Sequence, residues 1–454
     1  MTERIRLSDH FTYTKLFRFV LPSIAMMIFI SIYGIVDGFF VSNYAGELAF
    51  AGLNLIYPFV MILVAVGFML GAGGNAAVSK MLGEGNGKEA NRIFSMLIYA
   101  TLLIGAALAV IGMIVVRPIA EFLASMEKNL ASEERAQLVE NSVTYARIVL
   151  SALPLYITQN AFQNFFVTAE KPRLGLYVTV GAGVMNMLLD ALFVAGFSWG
   201  IVGAALATGI AQCVGGVLPL FYFGRKNDSL LRLVKTNFNG KVFIEICVNG
   251  LSELITNISL SVVTILFNAQ LMRYIGLNGV NAYGIMMYLG FIFIAVFIGY
   301  AIGGAPIIGF HYGAENRSEL KNILKKSVIS LSIAGIAMTV ICILFAQPLS
   351  HIFVPEDREL LQLTARGLTL YSLGFLLTGL NIFVSSFFTA LSNGALSLLI
   401  SFFRTFLCQV IAVLVLPLFL GVDGIWLASV VAELVTLALS VFVIYWKRKK
   451  YGYL

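Results

Sequence analysis

Charged residues are scarce in this chain of 454 residues. Asp, Glu, Lys and Arg make up 12% of it, whereas hydrophobic residues make up 59% and the mean hydropathy is +0.91. A soluble domain carries roughly 25% charged residues, so this scarcity indicates a protein with many membrane-spanning segments. A transmembrane β-barrel would show alternating segments of ~10 residues. The long unbroken apolar runs exclude that class.

Cysteine and histidine are also sparse. The four cysteines lie in apolar runs without CxxC spacing, and the three histidines share no helical spacing. We therefore expect small core cysteines and no His/Cys metal centre. The chain has no Gly-x-x-x-x-Gly-Lys-Ser/Thr phosphate loop and no D-D-x-x-D motif, which argues against ATP-driven transport and against an intramembrane polyprenyl transferase. The expectation is a protein that is not an enzyme and has no cofactor.

What the sequence does contain is a series of apolar segments, each long enough to cross ~30 Å of hydrocarbon as a helix. The segments fall at about 14–41, 48–77, 93–116, 143–168, 173–196, 199–223, 242–270, 281–310, 322–347, 361–390, 395–419 and 421–446. This pattern predicts an all-α integral membrane protein with 12 transmembrane helices.

The net charge of +7 is placed unevenly. Basic residues collect in alternate connections between the apolar segments, at Lys80, Lys88 and Arg92, at Lys171 and Arg173, at Arg225, Lys226, Arg232, Lys235 and Lys241, at Arg317, Lys321, Lys325 and Lys326, and at 447–450. By the positive-inside rule, both termini lie in the cytoplasm of a multi-pass cell-membrane protein. The basic excess therefore indicates topology and contact with the lipid bilayer, not a nucleic-acid partner.

The chain also repeats itself. The stretch Gly67–Gly71 returns as Gly299–Gly303, 232 residues later, and Gly200–Thr208 returns as Gly421–Ser429, 221 residues later. Six spans per half place both halves in the same orientation, which predicts parallel repeats around a central cavity. The predicted lobes are residues 1–223 and 242–454, with a cytoplasmic linker at 224–241.

Polar residues within the apolar segments are the candidate functional groups. Asp37, Asn186, Asp190 and Thr208 fall in the outer half of the predicted N-terminal lobe, with Asp190 about 27 Å along its helix. A carboxylate in lipid surroundings is costly unless it is paired, hydrated or protonated. Two close carboxylates either hold a cation or share a proton, so the set predicts a coupling site for H⁺ or Na⁺. The alternative is that each aspartate caps or hydrogen-bonds a neighbouring helix.

Four further residues are candidates for substrate contact or relay. Tyr33 shares a helix face with the first-helix aspartate, and Gln163 either lines a cavity or bonds between helices. Glu253 is either an acid that faces a cationic substrate or a buried, hydrogen-bonded glutamate. Arg404 and Glu433 lie at similar depths, where a structural ion pair is favoured over direct substrate contact.

Two glycine-punctuated stretches complete the pattern, Gly74–Asn86 and its echo Gly304–Asn316. We expect Gly83, Gly85, Gly309 and Gly313 to lie in cytoplasmic loops, where glycine permits tight turns and positive φ.

These paired stretches resemble the signature loops of the multidrug and toxic compound extrusion (MATE) family. The resemblance to this family extends over essentially the whole chain. The spacing of Asp37, Asn186, Asp190 and Thr208 is similar to the N-lobe cation site of prokaryotic members. Glu253, in Gly-Leu-Ser-Glu, resembles the seventh-helix acid of the MepA-like bacterial branch.

The resemblance implies a monomeric antiporter that exports small organic molecules, mostly cationic, in exchange for Na⁺ or H⁺. The alternative within transporters is a flippase for a lipid-linked or polar metabolite in the same wider superfamily. Such a flippase needs a cavity rich in Arg and Lys, whereas Arg404 is the one deep basic residue that the sequence predicts there.

Overall fold

A computed structural model describes residues 5–126, 131–354 and 357–453. These residues form helices almost throughout and no β-strand. In chain order the α-helices are α1 (Tyr13–Phe40), α2 (Glu47–Gly83), α3 (Gly87–Ser125), α4 (Ser132–Ser151), α5 (Leu153–Thr168), α6 (Pro172–Asp190), α7 (Gly200–Gly224), α8 (Gly240–Tyr274), α9 (Leu277–Gly313), α10 (Arg317–Leu344), α11 (Ala346–His351), α12 (Arg358–Ser372), α13 (Phe375–Ala390), α14 (Gly394–Phe402), α15 (Cys408–Leu420) and α16 (Val422–Tyr451). Three short π-helical segments interrupt them, at Val41–Ala45, Ala191–Gly196 and Phe403–Leu407.

Ten helices within the described ranges are long and apolar enough to cross a membrane. The pair α12 and α13, bent by 48°, makes an eleventh span if it is counted as one. The remaining predicted segment, 143–168, falls on α4 and α5, which are separated by Ala152. The prediction of an all-α integral membrane protein is thus confirmed, whereas the count of twelve spans stays a prediction.

The chain divides into two compact units. The N-terminal unit comprises Phe29–Val78 and Asn86–Cys247, and the C-terminal unit comprises Met1–Ile28, Ser79–Gly85 and Val248–Leu454. The lobes predicted from the repeat, residues 1–223 and 242–454, remain a prediction about the internal symmetry of the chain.

Close backbone contacts hold the N-terminal unit together around α5. A Cβ atom at Gly67 of α2 would lie 2.6 Å from the carbonyl oxygen of Ile157, and one at Gly216 of α7 would lie 2.5 Å from that of Leu155. Within a bilayer, helices associate through such close packing of small residues, because lipid tails are as apolar as the side chains. The polar side chains of α5 are therefore enclosed by neighbouring helices.

In the C-terminal unit, the glycines of the two signature stretches are explained mainly by packing. Gly85 has a φ of +75° and lies in a turn, as expected, but Gly83, Gly309 and Gly313 lie within helices. A Cβ at Gly83 would lie 2.0 Å from the carbonyl oxygen of Phe310. The expectation of loop glycines was therefore wrong for these three, because the contact that requires them joins residues far apart in sequence.

Residues 225–239 form no helix and run along the start of α3. The backbone amide of Arg232 donates to Oδ1 of Asn91 at 2.6 Å. Lys171 Nζ lies 2.5 Å from Oδ2 of Asp228, and this hydrogen-bonded ammonium holds the pKa of Asp228 below its usual value. The segment between the last helix of one predicted lobe and the first helix of the next is thus tied to the N-terminal unit.

Candidate functional site

Three of the predicted site residues meet in the N-terminal unit. Asp37 of α1 lies next to Asp190 and Asn186 of α6. The two α6 side chains are buried, with Asp190 0% exposed and Asn186 2% exposed, whereas Asp37 is half-buried. We call these three residues the aspartate cluster.

A small residue allows α6 to approach α1 at this level. Gly183 lies one turn before Asn186, and a Cβ at Gly183 would be 2.4 Å from the ring of Phe29 and 3.1 Å from the ring of Tyr33. Because residues three and four apart share a helix face, the same contact brings the α6 carboxylate and amide towards α1.

Five of the six polar side-chain atoms of the cluster are buried without a hydrogen-bond partner. Both carboxylate oxygens of Asp190, both polar atoms of the Asn186 amide and Oδ1 of Asp37 are buried without a partner, and so is Oγ1 of Thr208. Most buried polar side-chain atoms in proteins are hydrogen-bonded, because an unsatisfied one is costly. Carboxylate, amide and hydroxyl oxygens are the donor set that a small hard cation prefers. The residues present therefore fit Na⁺, and a proton would need one of the two carboxylates alone.

Thr208 of α7 is connected to the cluster through a residue that the sequence did not single out. Tyr145 of α4 is 4% exposed, and it lies near Thr208 and within electrostatic range of Asp37 and Asp190. Tyr145 shares a helix face with Asn141 and Ser142, four and three residues earlier, but that spacing does not point to Thr208 or to the two aspartates.

A second missed residue is Gln212 of α7. It is 5% exposed, it interacts with Tyr33, and its Oε1 is buried without a partner. Gln212 lies four residues after Thr208, on the same helix face, so this spacing could have found it.

Both helices that carry the aspartates change into a π-helical segment nearby. Ala191–Gly196 begins directly after Asp190, Val41–Ala45 begins four residues after Asp37, and the two segments pack against each other. Single π-helical turns within α-helices are frequently found at functional sites. Hydrophobic periodicity gives no signal for them.

Three of the other predicted residues, Gln163, Glu253 and Arg404, are not brought to this cluster. Gln163 of α5 donates to Oδ1 of Asn160 at 3.5 Å. Glu253 and Arg404 belong to the C-terminal unit, where Glu253 lies within the electrostatic range of Arg404.

The C-terminal unit contains the ion pair expected between Arg404 and Glu433. Nη1 of Arg404 lies 3.5 Å from Oε1 of Glu433, and both side chains are largely buried. Asn381 donates to Oε2 of the same carboxylate at 2.7 Å, and Ser440 donates to Oδ1 of Asn381 at 2.9 Å. This carboxylate is therefore well supplied with partners, in contrast to Asp190.

Among the described residues, no group of three or more His, Cys, Asp and Glu side chains could hold a metal ion. The aspartate cluster has two carboxylates, and its other oxygen donors come from Asn and Thr side chains. Its composition is thus unlike that of a transition-metal centre, which uses imidazole or thiolate ligands.

A polytopic helical fold with buried ionisable groups inside one unit is typical of secondary transporters. The MatE family model matches residues 22–192 and 254–415 of this chain. The chain belongs to the MatE family of multidrug efflux transporters.

Individual relatives agree with this assignment. The multidrug export protein MepA of Staphylococcus haemolyticus is 24% identical over 447 residues, which cover 96% of this chain and 94% of MepA. A solved structure of the outward-facing conformation of a multidrug resistance MATE family transporter has a TM-score of 0.90 at 20% identity, and the match covers 100% of this chain and 98% of that one. The predicted resemblance to MepA-like bacterial transporters is confirmed.

For another solved structure of this fold, a different function has been suggested. It is a transporter of the MOP superfamily from Pyrococcus furiosus, described as having a binding pocket of reverse polarity that suggests a different function. It matches with a TM-score of 0.88 at 20% identity and covers 100% of this chain and 98% of its own. Likeness at this identity is evidence of fold alone.

Proposed function

We propose that this chain is a secondary-active antiporter of the cell membrane, which exports small, mostly cationic organic molecules in exchange for Na⁺ or H⁺. It would act as a monomer with both termini in the cytoplasm. The family assignment and the MepA relatives support drug export, and the aspartate cluster supports coupling to a cation. The observation that carries the proposal is the set of buried oxygen atoms without partners on Asp37, Asn186, Asp190 and Thr208.

The coupling follows from the charge of the cluster. With both carboxylates ionised and close together, the empty cluster is electrostatically unfavourable, and binding of one cation or one proton relieves the repulsion. The ion can drive transport only if it binds more tightly to one conformation of the protein than to another. Since Asp37 and Asp190 belong to different helices, a change in the packing of α1 against α6 would alter the ion's affinity and thereby couple the ion to alternating access.

Glu253 is the acid that we propose for contact with a cationic substrate, with Tyr33 and Gln163 as relay candidates. The charge of Arg404 is already partly neutralised by Glu433. A substrate cation near Glu253 would therefore meet less repulsion than the bare sequence suggests.

The alternative, a flippase for a lipid-linked or polar metabolite, draws some support from the Pyrococcus furiosus relative of the same fold. It would need basic groups free to hold phosphate. Arg404 is engaged by Glu433, which argues against that role. The two functions differ in substrate: an antiporter of this kind would transport a cationic dye, whereas the flippase would transport an anionic lipid-linked sugar.

The test is efflux of a fluorescent cationic dye from proteoliposomes, with a Na⁺ gradient or a pH gradient imposed one at a time. We expect one of the two gradients to accelerate dye movement and identify the coupling ion. A rate of dye movement that neither gradient changes would contradict an ion-coupled antiporter.

Matched variants assign the coupling to the cluster. Asp37→Asn and Asp190→Asn should abolish gradient-driven dye transport while the protein remains folded, because an amide cannot supply the charge that the ion balances. Glu47→Gln is the control, since it makes the same chemical change at an exposed residue of the same unit. Equal transport by all three variants would remove the aspartates from the mechanism.

A further inference from the structure

Helix α5 carries four buried amide side chains. Gln159, Asn160, Gln163 and Asn164 are 7%, 3%, 5% and 6% exposed. Such a density of amides is unusual in a segment predicted to cross the membrane, as 143–168 is, because polar groups are expensive there. Their burial means that lipid does not surround them, and their neighbours are the helices of the N-terminal unit.

The row of amides joins the cluster through α7. Gln212 interacts with Tyr33 of α1. Three residues further along α7, a Cβ at Gly215 would lie 2.5 Å from the side-chain amide carbon of Gln159. The absence of a side chain at Gly215 therefore makes room for the Gln159 amide one turn away from Gln212.

At its other end the row reaches the inner part of the unit. A Cβ at Gly71 of α2 would lie 2.9 Å from Nδ2 of Asn164. One turn further, Thr168 donates to Oδ1 of Asn75 at 2.5 Å. Lys171 follows in a basic connection, which the positive-inside rule assigns to the cytoplasm.

These amides are poorly satisfied, unlike amides that only hold helices together. Oε1 of Gln159, Nδ2 of Asn160, Oε1 of Gln163 and Oε1 of Gln212 are all buried without a hydrogen-bond partner. The single bond between two of them, from Gln163 to Asn160, is long at 3.5 Å. Buried polar groups without protein partners are the places where proteins hold ordered water, each water making about three hydrogen bonds.

We infer that Gln212, Gln159, Asn160, Gln163 and Asn164 form a hydrated polar route through the N-terminal unit, by which the coupling ion passes between the aspartate cluster and the cytoplasmic side. The inference rests on the proposed coupling function. Amide oxygens and water replace part of the hydration shell of Na⁺, and the same water chain would carry a proton. The section from Gln159 to Thr168 is about 13 Å long on a helical rise of 1.5 Å per residue.

The route predicts that polarity at Gln163 matters more than its size. Gln163→Leu keeps the volume but removes the amide, whereas Gln163→Ser leaves space and a hydroxyl that can hold water. Ion-driven dye transport should fall by about tenfold in the Leu variant, because a desolvated ion loses a polar partner. The Ser variant should retain most of the native rate, although it is the worse match for packing.

A measurement of ion binding distinguishes damage to the route from damage to the aspartate cluster. Na⁺ binding is measured by calorimetric titration with NaCl, and proton uptake with a pH indicator in weak buffer. The Leu variant should bind the coupling ion within about twofold of the native affinity, since the aspartate cluster is intact. Gln409→Leu is the control: this buried amide of the C-terminal unit bonds to Ser429 at 3.1 Å and is not part of the route.

Transport at the native rate by Gln163→Leu would overturn the route, because the amide would then be dispensable. Equal loss of transport in the Leu and Ser variants would also overturn it, because the amide would then serve packing alone. In either case intact ion binding and inactive Asp190→Asn would leave the proposed function standing. Ion-independent transport by the native protein would instead overturn the proposed function, and the route with it.

Discussion

Buried carboxylates in this protein are of two kinds, which differ in the partners that surround them. Glu433 pairs with Arg404 and accepts a hydrogen bond from Asn381 at 2.7 Å. Asp190 is equally buried, yet neither of its oxygens has a hydrogen-bond partner. A buried ion pair with all its hydrogen bonds made stabilises a fold only modestly. A buried carboxylate without hydrogen-bond partners is typical of a functional site, where a bound ion supplies the missing partner.

The contrast between Glu433 and Asp190 predicts that substitutions at the two residues affect the stability of the protein differently. Glu433→Leu should lower the free energy of unfolding by roughly 3 kcal/mol, because it leaves the buried charge of Arg404 without its partner. The double variant Arg404→Met with Glu433→Leu should recover most of that loss. The check is the thermal unfolding midpoint of the detergent-solubilised protein, compared with Asp190→Asn, for which we expect no decrease. A double variant no more stable than the single one would show that the pair is not the source of the effect.

At the scale of elements, close packing around α5 determines where the polar groups lie. The helix is held between α2 and α7 by glycines whose contacts leave no room for a Cβ atom. The amides of α5 thereby face the interior of the unit instead of lipid.

Gly216 and Gly181 offer a matched test of this packing. A Cβ at Gly216 would lie 2.5 Å from the carbonyl oxygen of Leu155, whereas one at Gly181 of α6 would meet nothing within 4 Å. Gly216→Ala should destabilise the protein by about 1–3 kcal/mol, because backbone must move apart to accept the methyl group. Gly181→Ala should be neutral or stabilising by about 0.5–1 kcal/mol, since glycine is the poorer helix former. Unfolding midpoints that do not separate the two variants would contradict tight packing of α7 on α5.

Periodicity and length predicted the helices well but missed their irregularities. The eleventh predicted span, 395–419, is an α-helix interrupted by a π-helical segment, and the fourth is broken at Ala152, ahead of Pro154. A π-helical turn depends on how a helix end is packed, and apolar residues at 191–195 favour it no more than an α-helix. Such features could not be predicted from spacing alone.

At the scale of the whole molecule, the basic residues predict the topology. Both termini should lie in the cytoplasm, because the tail 447–450 and the alternate connections carry most of the positive charge. A C-terminal green fluorescent protein fusion should fluoresce, whereas a C-terminal alkaline phosphatase fusion should be inactive. An active phosphatase fusion would place the C-terminus outside and reverse the predicted orientation.

The sequence also predicted part of the site. Asp37, Asn186 and Asp190 could be selected because each is an expensive group in an apolar segment, and helical rise placed them at similar depth. Tyr145 could not be selected in this way, because its contact with Thr208 joins helices far apart in sequence.

Direct measurement of ion binding tests the central claim. Purified native protein, Asp190→Asn and Glu47→Gln are titrated with NaCl by calorimetry and, separately, with acid in weak buffer to count protons taken up. The account predicts one saturable Na⁺ or proton site in the native protein and in Glu47→Gln, and none in Asp190→Asn. Unchanged binding by Asp190→Asn would contradict it.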